Sequence, residues 1–139
     1  MIHEKSCGAA VFRLQDGKRL YLIENMVQGH VSLCKGHVEG NETAHETAAR
    51  EIREETGLSV EFIPGFRETI AYSPYEGCEK EVVFFLAKCH TDLVKAQLEE
   101  VTSIVFLPLA QALERLTYED DRRILRKADA FLTALAGSE

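Results

Sequence analysis

Three glutamates near the middle of the chain have the spacing of a carboxylate site. Glu51, Glu54 and Glu55 stand at positions i, i+3 and i+4 of the segment REIREETGL, and on a helix such residues share one face. Like charges held this close repel one another, and a bound cation can offset the free-energy cost of keeping them together. Oxygen-rich sites suit magnesium or manganese, which polarise phosphoryl oxygens and lower the pKa of a bound water. Taken alone, however, such a segment more often indicates a solvated helix face, with Arg50 or Arg53 as ion-pair partners.

The sequence around these glutamates predicts the helix that would position them. Residues 42–56 are rich in helix formers and contain neither proline nor glycine, and Gly57 supplies a stop. Residues 26–41 contain glycines and are predicted to be irregular. Alternating apolar patterns predict strands, and two further helical segments follow them. The predicted strands are 6–14, 19–24, 60–63, 68–72, 81–89 and 104–107, and the predicted C-terminal helices are 109–116 and 119–135. This order predicts a single α/β (α+β) domain over residues 1–139, a mixed central β-sheet sandwiched between α-helices.

Composition narrows the class of function. The chain of 139 residues is 45% hydrophobic and 28% charged, which is ordinary for a soluble globular protein. It contains no apolar run of membrane-spanning length and no signal peptide at its start, so we expect a cytoplasmic protein without a membrane partner. A net charge of −7 argues against broad nucleic-acid binding. The four cysteines form no CxxC pair and are expected to be free thiols.

The glutamate helix lies within a longer motif. Residues 36–58, GHVEGNETAHETAAREIREETGL, resemble the Nudix box at every fixed position of its pattern. That pattern is a glycine, five residues, a glutamate, seven residues, and then Arg-Glu-aliphatic-any-Glu-Glu-any-Gly-aliphatic. The matching residues are Gly36, Glu42, Arg50, Glu51, Ile52, Glu54, Glu55, Gly57 and Leu58. The resemblance implies the Nudix fold and metal-dependent hydrolysis of a phosphoanhydride bond in a nucleoside polyphosphate.

The resemblance also implies roles for individual residues. Glu51, Glu54 and Glu55 would hold Mg²⁺ or Mn²⁺ against the diphosphate, and the backbone carbonyl of Gly36 would add a ligand. Arg50, together with Glu42, would orient the carboxylates through charge-assisted hydrogen bonds.

The catalytic base stays open between two regions of the chain. Within the box, either Glu51 or Glu54 is a candidate for activating water. Some members of the family use a glutamate on a later loop, and Glu100 precedes the predicted strand 104–107 at a suitable place, with Glu99 beside it.

Residues flanking the box are similar to one subgroup, the asymmetric dinucleoside tetraphosphate hydrolases. These residues are Lys35-Gly36-His37-Val38-Glu39, Cys7-Gly8-Ala9, Pro64-Gly65-Phe66-Arg67-Glu68, Ile70, Tyr72 and Lys80. Enzymes of that subgroup split diadenosine tetraphosphate into ATP and AMP. The chain departs from the subgroup in two respects, because it has no tryptophan and because Cys34 stands where a proline is usual.

Five flanking residues are candidates for binding a small nucleotide. Lys35, His37 and Lys80 suit phosphate oxygens, and Tyr72 and Tyr75 suit stacking on a base. Each also has an ordinary interpretation, as a surface lysine, a loop histidine or a half-buried strand aromatic. The oligomeric state is left open between monomer and homodimer.

Other functions compete with dinucleotide hydrolysis. A MutT-like nucleoside triphosphate pyrophosphatase and an RNA 5′-end pyrophosphohydrolase share the same box. A non-catalytic nucleotide-binding Nudix domain is a further alternative, although such domains usually lose box glutamates and all are present here.

Overall fold

Two long strands run side by side through the centre of the sheet. The computed structural model describes residues 1–90 and 101–137. Strand β1 (Ile2–Gln15) pairs in parallel with β7 (Cys78–Lys88), from Ile2 opposite Cys78 to Phe12 opposite Lys88. Their middle residues are buried on both faces, as expected for strands covered on each side.

Six further strands complete an eight-stranded mixed sheet. β2 (Lys18–Met26) folds back antiparallel on β1 through a turn in which Asp16 and Gly17 both have positive φ angles, 52° and 76°. The remaining strands are β3 (Val31–Ser32), β4 (Cys34–His37), β5 (Glu61–Phe62), β6 (Glu68–Tyr72) and β8 (Val101–Leu107). All six form antiparallel pairs: β2 and β4 with β1, β3 and β8 with β2, and β5 and β6 with β7.

Local chemistry sets the limits of the first helix, α1 (Ala44–Thr56). Thr43 is its N-cap: the Thr43 hydroxyl accepts from the Glu46 N–H, and the Glu46 carboxylate accepts from the Thr43 N–H. Gly57 ends the helix with a φ of 77° and donates its N–H to Arg53. This cap explains why the helix begins two residues later than predicted from Glu42. The C-terminal helices are α2 (Leu109–Arg115) and α3 (Glu119–Gly137).

Helices cover both faces of the sheet, and each interface has its own apolar cluster. Ile52 of α1 packs with Leu22 and Phe85 on one face. Leu125 of α3 packs with Ile23, Phe84 and other residues on the opposite face. The prediction of a mixed central sheet between α-helices is therefore confirmed. No helix among residues 1–90 and 101–137 is both long and apolar enough to cross a membrane.

The prediction for residues 26–41 was wrong in part, because β3 and β4 lie within this segment. β4 is only four residues long and contains a glycine, so it has no readable alternation of its own. It forms through backbone pairing with β1, in which Lys35 lies opposite Gly8. A Cβ atom on Gly8 would lie 1.9 Å from the Cys34 carbonyl oxygen, so the close approach of the two strands requires glycine.

Candidate active site

Arg50, in the middle of α1, gathers several acceptors around its guanidinium. It donates to Glu42 at 2.7 and 3.1 Å, to Glu51 at 2.9 Å and to Glu54 at 3.1 Å. It also donates to the backbone carbonyl of His37 at 2.9 Å, which ties α1 to the end of β4. Hydrogen bonding to Arg50 is the main cause that lowers the pKa of Glu42 to about 2. Arg50 thus holds three carboxylates together through charge-assisted hydrogen bonds.

Glu51 lies directly against β4, where Gly36 leaves room for it. A Cβ atom on Gly36 would lie 2.0 Å from the Glu51 carboxyl carbon, well inside any real contact distance. Glu51 is only 9% exposed, and this burial raises the pKa of its carboxyl group, while the hydrogen bond from Arg50 acts in the opposite direction.

The other two predicted metal-holding glutamates differ in environment. The side chain of Glu54 is 44% exposed and opens toward solvent. Glu55 points inward, where its Oε2 accepts from the Cys34 thiol at 3.2 Å. Burial, followed by the nearby Glu24 charge, raises the pKa of Glu55 to about 10. The i, i+3, i+4 spacing therefore brings three carboxylates to one region of α1 but not into one environment.

A cleft of about 570 Å³ lies on the opposite face of the sheet, beside α3. Lys35, Tyr72 and Lys80 line this cleft, and Tyr72 lies opposite Lys80 in the β6–β7 pair. Lys35 stands between Cys34 and Gly36, which face α1, so strand alternation directs its side chain to the opposite face, where the cleft lies.

Further aromatic and acidic groups line the same cleft. The rings of His30 and Tyr118 are 5.8 Å apart between centroids, and Tyr118 is 53% exposed. Asp121 is almost fully buried there, and burial raises the pKa of its carboxyl group. Burial, with the Lys35 charge as the next cause, lowers the pKa of Lys80. Two neighbouring ammonium groups of this kind can take an anion between them.

The remaining predicted substrate residues lie apart from this cleft. His37 Nε2 is 3.7 Å from Glu4 Oε2, and the Tyr75 hydroxyl is 3.5 Å from Glu4 Oε1. Glu4 lines an adjoining cleft of about 500 Å³, to which Tyr72 and Lys80 also contribute. Lys35, Tyr72 and Lys80 thus share the larger cleft, whereas His37 and Tyr75 only approach Glu4 at the edge of the adjoining one. Glu99 and Glu100, the candidate late-loop base and its neighbour, lie outside the described residues.

Sequence reasoning missed His30 and Tyr118 as cleft residues and Glu24 as a neighbour of the carboxylates. His30 and Tyr118 are brought together by the chain segments next to them, where Val31 and Thr117 exchange hydrogen bonds of 2.7 and 3.0 Å. No local pattern reports such a tertiary contact. The position of Glu24 could have been predicted from the sequence. It lies two residues after Leu22 on β2, so it shares the face of Leu22 and points toward α1.

Comparison with known proteins gives concordant matches. A model of the NUDIX domain family matches residues 5–128. The asymmetrical bis(5′-nucleosyl)-tetraphosphatase of Sus scrofa is 29% identical over 144 residues, covering 95% of this chain and 97% of the relative. The putative mutator protein MutT4 of Mycobacterium tuberculosis is also 29% identical, over 96% of this chain, but the chain spans only 58% of that relative's length.

A solved structure agrees in fold over nearly its whole length. The crystal structure of a C. elegans Ap4A hydrolase binary complex superposes with a TM-score of 0.86 and 28% sequence identity. The match covers 94% of this chain and 98% of that chain.

Proposed function

The chain belongs to the Nudix family, whose model matches residues 5–128, and from this premise we propose that it hydrolyses diadenosine tetraphosphate to ATP and AMP. It is a pyrophosphohydrolase of the kind that acts on nucleoside polyphosphates. The choice of substrate is supported by similarity to asymmetrical tetraphosphatases over almost the entire length of both proteins.

One observation carries the substrate proposal, namely that β4 contributes to both the cleft and the surroundings of the carboxylates, on its two opposite faces. Tyr72 and Tyr118 offer aromatic surfaces for an adenine, and Lys35 and Lys80 lie in the same cleft. On β4, Lys35 is followed by Gly36, against which Glu51 packs. A nucleotide with its base in the cleft would carry its phosphate chain past the lysines and across β4 to reach the carboxylates on the α1 side of the sheet.

The donor set fits the divalent cation that Nudix hydrolases generally use. Glu51, Glu54 and Glu55 would hold Mg²⁺ or Mn²⁺, with the Gly36 carbonyl as a further oxygen ligand. The exposed Glu54 carboxylate is accessible from solvent, and Arg50 keeps Glu51 and Glu54 oriented. When bound, such an ion polarises the phosphoryl oxygens and makes a water easier to deprotonate.

The protein's own groups would bind and orient the substrate. Tyr72 or Tyr118 would stack on one adenine, a contact worth about 1–3 kcal/mol. Lys35 and Lys80 would neutralise the phosphates that are not cut, and His37 would contribute from its position beside Glu4. This remote binding energy would fix the position of the scissile phosphate.

The proton of the attacking water would pass to a nearby carboxylate. Glu54 or Glu51 is our proposal for this base within the box, and Glu100 is the alternative from the later loop. Arg50 would hold these two box carboxylates in position to accept it.

Product analysis with a substrate panel tests this function. Purified protein with magnesium is incubated separately with dinucleoside polyphosphates, nucleoside triphosphates, nucleotide sugars and capped RNA. We expect diadenosine tetraphosphate to be consumed fastest and to give ATP and AMP, with heavy oxygen from labelled water on one product phosphate. Faster degradation of ATP, or formation of two ADP molecules, would overturn the substrate assignment while leaving the Nudix assignment intact.

The same panel separates the competing activities. A nucleoside triphosphate pyrophosphatase would release pyrophosphate from ATP or its analogues, and an RNA pyrophosphohydrolase would act on the RNA 5′ end. Trapping of a covalent phosphoryl or nucleotidyl enzyme would contradict direct attack by water.

A further inference from the structure

The carboxylate of Glu4, on β1, lies between two of the candidate substrate residues. Its Oε2 is 3.7 Å from His37 Nε2, and its Oε1 is 3.5 Å from the Tyr75 hydroxyl. Each carboxylate oxygen therefore faces a different group. The Glu4 side chain is 31% exposed, so these long contacts lie at the border with solvent, where an ion pair can be exchanged at little cost in free energy.

Strand pairing brings a third candidate, Lys80, to the same carboxylate. Lys80 of β7 lies opposite Glu4 of β1 and opposite Tyr72 of β6, so the three residues form a row across the sheet. Neighbouring strands are about 4.8 Å apart, which puts a carboxylate and an ammonium group on opposite residues within reach of each other. Burial and the Lys35 charge lower the pKa of Lys80, whereas the Glu4 charge acts in the opposite direction.

We propose that the Glu4 carboxylate competes with the phosphate chain of the substrate for Lys80 and His37, and thereby determines how tightly polyphosphates are held. This competition rests on the proposed function, in which Lys80 and His37 bind the phosphates that are not cut. A carboxylate and a phosphate on the same ammonium group repel each other, because both are anions. Phosphate would therefore move the Glu4 carboxylate toward the solvent to which it is already partly open.

The competition weakens every anion that uses Lys80. The affinity of a ligand falls in proportion to the fraction of protein in which its binding group is free, so time that Lys80 spends with Glu4 lowers the apparent affinity. Substrate and product are affected alike if both contact Lys80. Glu4 therefore also favours the departure of a product that carries phosphates.

Calorimetric titration with inorganic tripolyphosphate tests this role without turnover. The full-length protein is titrated in EDTA, so that binding reports the cationic side chains and not a metal ion. Glu4→Gln keeps the shape of the side chain and removes its charge. We expect the variant to bind tripolyphosphate about 3- to 10-fold more tightly, because each exposed ion pair that is given up costs a few-fold in affinity.

Two features of this design separate the possible causes. Tripolyphosphate has no base, so the result does not depend on whether diadenosine tetraphosphate is the substrate. A gain in affinity also cannot result from partial unfolding of the variant, which would lower the affinity.

Glu79→Gln is the matched control, because it makes the same change in net charge one residue from Lys80. Side chains alternate along β7, so Glu79 faces away from Lys80, and it lies 3.8 Å from His3 Nδ1. The control should change the affinity by less than about 2-fold. An equal gain in both variants, no gain in Glu4→Gln, or no binding of tripolyphosphate to either protein would overturn the competition.

A double-mutant cycle with Lys80→Gln distinguishes competition from direct repulsion of phosphate. If Glu4 acts by occupying Lys80, the gain from Glu4→Gln should shrink by at least about half in the Lys80→Gln background, because residues that interact do not have additive effects. A gain of full size in that background would show that Glu4 repels phosphate without occupying Lys80, and the competition would be refuted.

Discussion

Replacing Gly36 with alanine tests whether Glu51 has to lie against β4. The added Cβ atom would stand 2.0 Å from the Glu51 carboxyl carbon and 2.2 and 2.4 Å from its two oxygens. Non-bonded carbon atoms pack at about 3.5–4.0 Å, so the carboxylate has to move by roughly 1.5 Å. A misplacement of about 1 Å can lower a rate on the order of 100-fold, and we expect a loss of about this size in kcat/KM.

The fold should survive this change, because the φ angle of Gly36 lies outside the left-handed region. The assay is steady-state hydrolysis of diadenosine tetraphosphate in saturating magnesium, accompanied by circular dichroism and urea unfolding.

Gly40→Ala provides the matched control, in the connection between β4 and α1. A Cβ atom on Gly40 meets nothing within 4 Å, but its φ of +52° is unfavourable for alanine. The control should therefore lose about 1–2 kcal/mol of stability and keep its rate. If Gly36→Ala is as active as Gly40→Ala, the role assigned to the Glu51 position is refuted.

Three further predictions concern the carboxylates and the cleft. Glu54→Gln should lower kcat by about 100-fold or more with an unchanged circular dichroism spectrum, because it removes a charge without changing shape, and near-normal turnover in saturating magnesium would contradict its role. Tyr118→Ala should lower kcat/KM for diadenosine tetraphosphate by about 5- to 150-fold if its ring stacks on adenine, whereas Tyr75→Ala, outside the larger cleft, should have a smaller effect in the same assay. Burial raises the pKa of Asp121, so its contribution to stability is fully present below the ordinary value of 3.8 and is lost as pH rises through the raised pKa. Asp121→Asn should consequently have a higher free energy of unfolding at pH 7 than the natural protein, measured by urea unfolding. The control Asp120→Asn, on the half-exposed neighbour, should show no such gain, and equal behaviour of the two variants would contradict the prediction.

The elements that could be predicted from sequence are those whose limits are set locally. α1 could be predicted from its helix-forming residues, from the glycine stop at Gly57 and from the motif of residues 36–58. These signals all lie close together in the sequence. β4 was missed because its existence depends on Gly8, which lies far away in the sequence and admits the backbone of β4 at close range. Pairing of this kind leaves no trace in the four residues of β4 themselves.

The side-chain contacts of the site are of the same two kinds. Some join residues that are close in the sequence, and others join residues that are far apart. The Arg50 network involves Glu42, Glu51 and Glu54, all within one motif, so pattern and helix spacing were sufficient to group them. The inward turn of Glu55 was not readable, because it depends on Cys34 and Glu24 from two separate strands. A helix spacing specifies the direction of a side chain but not what the rest of the fold places there.

The parallel pairing of β1 with β7 has a consequence for how the protein is made. In this parallel pair, residues Ile2 to Phe12 of β1 lie opposite residues Cys78 to Lys88 of β7. During translation, the first strand therefore leaves the ribosome long before the strand that covers one of its edges. Such distant pairing slows folding, and the apolar residues of the nascent β1 remain available to chaperones until β7 has emerged.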